Sequence, residues 1–275
     1  MKDKVTVTTI RKMKSEGDKI TALALYDHAF AALADQAGVD IALVGDSLGM
    51  TFQGEENTLK VTMDHMAYHT RAVGKGLQRA LLVADMPFMS FRLGIERTLE
   101  NAGRLVAEGA EAVKLEGVES IIGSIRELVA AGIPVMGHLG LTPQSVHALG
   151  GFKVQGKEPD AAKRLVEDAC RLQDAGVFSL VLECVPMEVG AKVTSQVQIP
   201  VIGIGAGPYC DGQVLVANDM LGLSPTRKPK FVKEYTDLAA VAQAAFGEFA
   251  REVRSGAFPD QEHSYTTPMR RLKAL

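Results

Sequence analysis

Eight short apolar segments, separated by longer segments of mixed polarity, restrict the fold more than any other feature of this chain. Most of them are nearly continuous in Val, Ile, Leu and Ala, which is typical of parallel strands buried on both faces. We therefore predict eight strands in a parallel sheet. They cover residues 20–26, 41–44, 80–84, 112–115, 134–137, 179–182, 200–204 and 214–217.

The segments between the predicted strands have the periodicity of amphipathic helices. In one of the clearest, apolar residues recur three and four positions apart, at Ile95, Leu99, Ala102 and Val106. Such a helix buries one face against a sheet, and strands that alternate with helices imply βαβ units. Eight such units favour closure into a (β/α)8 TIM-type barrel, which is an α/β fold. An open doubly wound sheet is the alternative.

The length of the chain fits a single domain of this kind. It has 275 residues, and one α/β barrel usually has about 250. We predict one domain over residues 1–275, with an N-terminal lead-in helix before the first strand. From about residue 256 the sequence becomes polar and, at its end, basic. We expect a flexible C-terminal tail there.

Composition argues against several classes of function. A net charge of −3 and the absence of tryptophan do not suit a nucleic-acid partner. No apolar run approaches the roughly 18 residues of a membrane span. The three cysteines form no CxxC pair, so neither a disulfide framework nor a zinc ribbon is indicated. With reduced thiols and no signal core, we expect a cytoplasmic protein that acts on small molecules.

Polar side chains lie at the ends of five consecutive predicted strands, from the second to the sixth. Active sites of α/β barrels lie at the carboxyl ends of the strands. A charge placed directly after an apolar run is costly unless it pairs or binds a ligand. We therefore predict one functional site at this end of the barrel. Its candidate residues are Asp46, Ser47, Asp85, Lys114, Glu116, His138 and Glu183.

Three of these residues suggest a metal site. Asp46, Asp85 and Glu116 could face one point above the barrel, without a cysteine ligand. Carboxylate oxygens suit a hard cation that keeps some of its water, so Mg²⁺ is the first choice and Mn²⁺ the second. The alternative is that each acid caps a following helix, although Glu116 is a poor residue for that purpose.

Lys114 is two residues from Glu116, so both side chains point to the same face of one strand. Its ammonium would then lie beside the metal site and bind a carboxylate or keto oxygen of a substrate. Two alternatives remain: a Schiff-base nucleophile, and a plain ion pair with Glu116 that fills the barrel.

The fifth and sixth strands supply the remaining candidates. Glu183 follows Val181 and Leu182, and a carboxylate in such apolar company suits a general base. It could instead be an acid at a helix start. His138 would donate a hydrogen bond to a substrate, or could be a histidine of the core. The connection 141–156 is long and rich in glycine, and we predict that it partly covers the site.

Long segments of this chain resemble the ketopantoate hydroxymethyltransferase family. The similarity extends from about residue 21 to about residue 263, and motifs of this length in one order are highly specific. The resemblance implies a (β/α)8 barrel enzyme. The motifs cover residues 43–50, 84–89, 113–117, 137–145, 150–156, 182–186 and 202–207.

The resemblance also implies a reaction. A hydroxymethyl group from the co-substrate 5,10-methylenetetrahydrofolate is added to 3-methyl-2-oxobutanoate, which gives 2-dehydropantoate in pantothenate biosynthesis. The chemistry would proceed through an enolate that Mg²⁺ stabilises. The implied roles are metal ligation near Asp46, Asp85 and Glu116, contacts to the oxo acid from Asp46, Ser47, Asp85 and Lys114, and proton acceptance by Glu183.

The family assembles as a homodecamer, so the resemblance implies a homo-oligomer here. One departure from the pattern is Asn218, where some members have histidine. That position lies outside the metal and base motifs, so it leaves the contacts near the last strand in doubt but not the reaction.

Three other functions are compatible with the same residues. A related barrel lyase would cleave a C–C bond of a 2-oxo acid without folate. A Schiff-base aldolase would use Lys114, and borohydride trapping would reveal it. A non-catalytic ligand-binding barrel would show no turnover, and the charged residues on five strand ends argue against it.

Overall fold

The computed structural model describes residues 3–224 and 228–267. Within these residues, eight strands and ten α-helices follow one another along the chain. The strands are β1 (Ile20–Ala24), β2 (Ile41–Val44), β3 (Leu81–Asp85), β4 (Ala112–Glu116), β5 (Val135–Gly140), β6 (Ser179–Glu183), β7 (Val201–Ile204) and β8 (Gly212–Val216). The helices are α1 (Val7–Glu16), α2 (His28–Ala37), α3 (Leu48–Thr51), α4 (Met63–Gly74), α5 (Ile95–Ala107), α6 (Ile122–Ala130), α7 (Pro159–Asp174), α8 (Met187–Gln196), α9 (Ala217–Met220) and α10 (Leu238–Ser255).

The eight strands form a closed parallel barrel, which confirms the predicted fold class. Each strand pairs with the next, and β8 pairs with β1 over five residues, from Gly212 beside Ile20 to Val216 beside Ala24. Closure of the sheet rules out the open doubly wound alternative. Helices between the strands cover the outside of the barrel, and residues 3–224 and 228–267 contain a single barrel domain.

The strand bounds differ from the predicted ones mainly at the carboxyl ends. β4 continues to Glu116, β5 to Gly140 and β6 to Glu183. The prediction ended these three strands directly before Glu116, His138 and Glu183. Hydrogen bonding between neighbouring strands continues past that point, because the backbone ladder does not depend on which side chain is attached.

Two apolar layers position the open end of the barrel. One lies between the sheet and the surrounding helices, and the other fills the barrel interior. The interior layer includes Ile20, Ile41, Leu81 and Met136, together with Ile10 of α1. Since α1 packs beneath the barrel, its amino-terminal end is covered and the carboxyl end is left for the polar side chains.

The last helix, α10, packs little of its surface against the barrel. None of its residues is buried, and Phe246 is 73% exposed. The helix ends at Ser255, and the segment 256–267 contains neither helix nor strand. The ring of Phe258 lies 5.6 Å from that of Phe249, so this segment turns back towards α10. The flexibility of the tail stays a prediction, and residues 268–275 lie outside the described part.

Within the described residues, no helix combines the length and the apolar character needed to cross a bilayer.

Gly140, the last residue of β5, allows β5 and β6 to approach at the mouth of the barrel. Its φ of 87° lies in the left-handed region, which favours glycine. A Cβ atom at this position would lie 2.1 Å from the carbonyl oxygen of Glu183, its neighbour on β6. The same carbonyl accepts a hydrogen bond from the backbone N–H of Leu141. Gly140 therefore fixes the backbone beside Glu183.

We predict that Gly140→Ala destabilises the protein more than Gly132→Ala. Gly132 has a similar φ of 84°, but a Cβ atom there would meet nothing within 4 Å. The control should cost about 1 kcal/mol for the left-handed backbone. Gly140→Ala should cost about 1–3 kcal/mol more for the backbone clash. If urea unfolding shows that both variants lose the same free energy of unfolding, the close approach to the Glu183 carbonyl does not affect stability.

Candidate active site

The predicted site side chains all line one cavity at the carboxyl end of the barrel, with a volume of about 680 Å³. Asp85, Glu116 and Glu183 are the last residues of their strands. Barrel closure brings them together although they are distant in sequence. The seven residues are Asp46, Ser47, Asp85, Lys114, Glu116, His138 and Glu183. Their catalytic and binding roles stay predictions.

An ion pair between neighbouring strands lies at the floor of this cavity. The register of β3 and β4 places Asp85 beside Lys114, and Lys114 Nζ lies 2.9 Å from Asp85 Oδ1. Each side chain is only 4% exposed. Burial opposes the charge on Lys114, but Asp85, Glu116 and Asp46 outweigh it and raise the pKa of the ammonium. The partner is therefore Asp85, and not Glu116 on the same strand.

The protonation of Lys114 argues against a Schiff-base role in this arrangement. A lysine nucleophile needs a neutral amine, which is usually obtained by lowering its pKa. Here the surrounding carboxylates have the opposite effect. The geometry therefore favours Lys114 as a fixed positive charge.

None of the three predicted metal-ligating acids caps a helix, which excludes the alternative reading of their pattern. The helix α3 after Asp46 has Ser47 at its N-cap position and no side-chain cap. The next helix after Asp85, α5, begins after Gly94, and the next after Glu116, α6, begins after Ile121. The three carboxylates are thus available for other contacts.

Asp46 and Asp85 lie close together in a buried environment. The backbone N–H of Asp46 donates to Asp85 Oδ2 at 3.0 Å. Burial raises the pKa of Asp46, and repulsion from Asp85 and Glu116 raises it further. Burial also raises the pKa of Asp85, although Lys114 opposes this. The cationic side chains of the site therefore do not fully compensate the repulsion between its carboxylates.

His138 lies between two carboxylates. Its Nδ1 is 3.3 Å from Glu116 Oε1 and its Nε2 is 3.2 Å from Glu183 Oε2. Burial and nearby Lys114 oppose protonation, but Glu116 and Glu183 outweigh both and raise the pKa of His138 to about 9. Burial opposes the charge on Glu116, yet contacts with His138 and Lys114 lower its pKa. Lys114 Nζ also lies 3.1 Å from His138 Nδ1. The His138 ring therefore joins Lys114 and Glu116 of β4 to Glu183 of β6.

Gln144 is a site residue that the sequence analysis missed. It is only 6% exposed, and its Nε2 donates to Asp46 Oδ2 at 2.8 Å and to the Met86 carbonyl at 2.9 Å. Its backbone N–H donates to Glu116 Oε2 at 3.0 Å. Gln144 therefore links two of the predicted metal-ligating acids. Its only sequence signal was its place in the motif after β5.

Tyr26 is a second residue that the sequence analysis missed, and it contacts Ser47. The hydroxyl of Tyr26 lies 2.8 Å from Ser47 Oγ, and burial raises the pKa of the phenol, so it stays neutral. Tyr26 is the last residue of the first predicted segment, but it follows the end of β1. Its position in an apolar run gave no sign of a polar contact.

Cys184 and Asn218, which lie near the site, form none of the side-chain contacts described above. Burial, followed by repulsion from Glu183, raises the pKa of Cys184 to about 12, which keeps its thiol neutral. Asn218 lies in α9, where its backbone carbonyl accepts from the N–H of Leu223 at 2.8 Å.

The donor chemistry of the cavity fits a hard divalent cation. Among residues 3–224 and 228–267, no three acidic, histidine or cysteine side chains already form a metal cluster. However, Asp85 Oδ1 and Glu116 Oε1 are buried without a hydrogen bond, and their close contacts are to the side chains of Lys114 and His138. Mg²⁺ binds through a few carboxylate oxygens and keeps several waters, which suits such a site.

We predict that Gln144→Leu lowers the free energy of unfolding of the metal-free protein by about 2 kcal/mol. The change leaves the Met86 carbonyl and one oxygen of Asp46 buried without their donor, which is costly. The control is Gln155→Leu, whose side chain donates to the Lys153 carbonyl at an exposed position. It should cost less than about 1 kcal/mol. Equal losses in urea unfolding would contradict a special role for Gln144.

Comparison with known proteins agrees with the resemblance noted in the sequence. Residues 4–261 match the family described as ketopantoate hydroxymethyltransferase. A 3-methyl-2-oxobutanoate hydroxymethyltransferase of Thermoanaerobacter sp. (strain X514) is 53% identical over 274 residues, which cover 99% of this chain and 100% of that protein. The enzyme of the same name from Syntrophus aciditrophicus (strain SB) is 54% identical over 263 residues, covering 95% and 97%.

Solved structures share the fold at much lower identity. A phosphonopyruvate hydrolase in complex with oxalate and Mg²⁺ has a TM-score of 0.61 and 17% identity, covering 94% of this chain and 93% of that one. A 2,3-dimethylmalate lyase of the PEP mutase/isocitrate lyase superfamily has a TM-score of 0.60 and 16% identity, covering 97% and 93%. These structures support the fold alone. From the sequence matches over nearly its full length, the chain is a transferase enzyme that belongs to the ketopantoate hydroxymethyltransferase family.

Proposed function

We propose that this enzyme transfers a hydroxymethyl group from 5,10-methylenetetrahydrofolate to 3-methyl-2-oxobutanoate, giving 2-dehydropantoate in pantothenate biosynthesis. Family membership supports the type of reaction. The observation that carries the proposal is the buried group of three carboxylates beside a lysine and a glutamate at the open end of the barrel.

Asp46, Asp85 and Glu116 would hold Mg²⁺, with Mn²⁺ as the second choice. When bound, the cation supplies Lewis acidity to the keto and carboxylate oxygens of the oxo acid. It would also relieve the repulsion that raises the pKa of Asp46. One structural neighbour, a phosphonopyruvate hydrolase, was solved with oxalate and Mg²⁺, which is consistent with this choice.

The side chains around the acids would bind and orient the oxo acid. Ser47 is held by the Tyr26 hydroxyl, so its Oγ has a fixed place in the cavity. Lys114 adds positive charge where the enolate oxygen develops, in a site shielded from water. Since its ion pair with Asp85 holds the ammonium in place, little reorganisation is needed during the reaction.

Glu183 would take the proton from C3 of the oxo acid. It lies at the end of β6, lines the cavity, and its side chain is 15% exposed. The contact with His138 Nε2 orients one of its oxygens, which leaves the other for the substrate. His138 would thus act by positioning Glu183 and, if the substrate reaches it, as a hydrogen-bond donor.

The proposed transfer balances with one molecule of water. The electron pair released at C3 forms the new C–C bond to the methylene carbon, and both bonds from that carbon to the folate nitrogens break. The water hydroxyl ends on the transferred carbon. The C3 proton and one proton of water end on the two nitrogens, so tetrahydrofolate leaves.

We further propose that the enzyme is a cytoplasmic homo-oligomer, a decamer as in the family. The exposed apolar side chains of α10, among them Val241, Phe246 and Phe249, support burial against another subunit. Three free cysteines support a reducing compartment. Analytical ultracentrifugation of the purified protein tests the assembly, and a monomer at micromolar concentration would contradict it.

One assay tests the reaction itself. Purified protein is incubated with 3-methyl-2-oxobutanoate and 5,10-methylenetetrahydrofolate, with and without Mg²⁺, and 2-dehydropantoate is measured. Product that forms without folate would favour a different one-carbon donor, and C–C cleavage of a 2-oxo acid would favour a lyase. Activity that survives EDTA would exclude the metal.

We predict that Glu183→Gln retains binding of the oxo acid but loses exchange of its C3 proton with solvent. The amide keeps the shape of the side chain but cannot accept the proton. The exchange rate, followed by NMR in D₂O with Mg²⁺, should fall by about 100-fold or more. The matched control is Glu188→Gln at an exposed position of α8. Retained exchange in Glu183→Gln would assign the base elsewhere.

We predict that Asp85→Asn weakens binding of Mg²⁺ and of the oxo acid together. The amide removes a charged oxygen ligand and leaves Lys114 without its counter-ion. Calorimetric titration with Mg²⁺ should show a loss of at least about tenfold, which even an outer-shell partner can cause. The control is Asp64→Asn, a surface acid paired with Arg104. Circular dichroism must show that both variants are folded, and unchanged Mg²⁺ affinity in Asp85→Asn would remove this residue from the ligand set.

A further inference from the structure

The cavity is much larger than the oxo acid requires. Its volume of about 680 Å³ falls within the range of pockets that take drug-sized ligands. The seven polar residues of the floor account for only part of the lining. Another part of the lining forms an outer rim, made of residues from three segments: Glu55, Glu56 and Thr58; Phe152, Lys153 and Val154; and Lys230 and Phe231.

Two segments of the rim each carry one phenylalanine and one lysine. Phe152 and Lys153 lie in the connection after β5, and Lys230 and Phe231 lie in the segment after α9. The first pair is held near β6, because the N–H of Gln155 donates to the Cys184 carbonyl at 2.8 Å. Each pair therefore offers an aromatic ring and an ammonium group to the same cavity.

Phe231 is fixed by the turn that follows β7. A Cβ atom at Gly205 would lie 2.7 Å from Cδ1 of the Phe231 ring, so the ring packs directly on the glycine backbone. Since β6 lies between β5 and β7 in the barrel, the two aromatic–lysine pairs flank the strand that carries Glu183.

The lysines of the rim are available for an anion. Within the described residues, Lys153 and Lys230 form no ion pair, whereas Lys228 pairs with Glu234. Phe152 is 51% exposed, which leaves its ring open to stacking. An exposed ring beside an unpaired ammonium suits a flat aromatic group that carries a carboxylate.

The opposite part of the rim is acidic. Glu55 and Glu56 follow β2, which lies across the barrel from β6. Glu55 is paired with Lys60, and Glu56 is exposed. A carboxylate at this edge suits the amino and ring N–H donors of a pteridine.

We propose that this rim binds the reduced folate co-substrate. The pteridine lies towards Glu56, the aminobenzoyl ring stacks on Phe152 and Phe231, and the glutamate carboxylates bind Lys153 and Lys230. The transferred carbon bridges N5 of the pteridine ring and N10, the nitrogen attached to the benzoyl ring. A ligand that spans the mouth in this way places that carbon over the floor, near Glu183. This assignment rests on the proposed function.

Calorimetric titration with tetrahydrofolate tests the aromatic contacts. Phe152→Leu and Phe231→Leu keep apolar volume but lose the stacking face, and each should raise the dissociation constant about tenfold. Phe152→Tyr and Phe231→Tyr should restore binding. Affinity that is unchanged in both leucine variants would overturn the proposal.

The lysine contacts are tested with a probe that lacks the glutamate. The double variant Lys153→Ala/Lys230→Ala should bind tetrahydrofolate about fivefold more weakly or worse, but tetrahydropteroate as well as the wild type does. The control Lys12→Ala, on α1 at the covered end of the barrel, should bind both probes normally. Equal losses for both probes in the double variant would overturn the assignment of the glutamate.

Failure of the subsite and failure of the proposed function give different results. If the wild type forms 2-dehydropantoate with folate but the rim variants retain its KM for folate, the subsite alone is wrong. If the wild type exchanges the C3 proton of the oxo acid but neither turns over nor binds tetrahydrofolate, both proposals fall, and the enolate chemistry of the floor remains.

Discussion

Lys114 and Asp85 face each other at 2.9 Å where both are almost completely buried. Removing one partner of such a pair typically costs about 3–5 kcal/mol, because the other charge is left without compensation. The two residues are neighbours in the register of β3 and β4, so this electrostatic requirement and the strand pairing support the same alignment. A slip of either strand by one residue would turn its side chain to the opposite face of the sheet and separate the pair.

From this pair, a continuous set of contacts extends across the mouth of the barrel. Asp85 accepts from the backbone of Asp46, whose side chain accepts from Gln144. Gln144 donates to Glu116, which contacts His138. His138 in turn lies beside the proposed base on β6. At each step of this path an N–H group or a ring nitrogen meets a carboxylate oxygen, so moving one member changes the electrostatic environment of the next.

Other proteins with the same barrel fold catalyse other reactions. A phosphonopyruvate hydrolase and a 2,3-dimethylmalate lyase share the fold at 16–17% identity. In α/β barrels the interior layers maintain the scaffold, while residues at the carboxyl ends of the strands determine the reaction. The cavity of this enzyme follows that division. Its floor holds the buried charges, and its rim is built from the longer connections.

The sequence alone determined the eight strands, their parallel arrangement and the polar residues at their ends, because burial on both faces and helical periodicity are local patterns. It did not determine that β4, β5 and β6 extend into the polar residues, since that depends on pairing with neighbouring strands. Nor did it single out Gln144 or Tyr26. Their importance arises from contacts with residues 98 and 21 positions away in the chain, and only the folded barrel brings those groups within hydrogen-bonding distance.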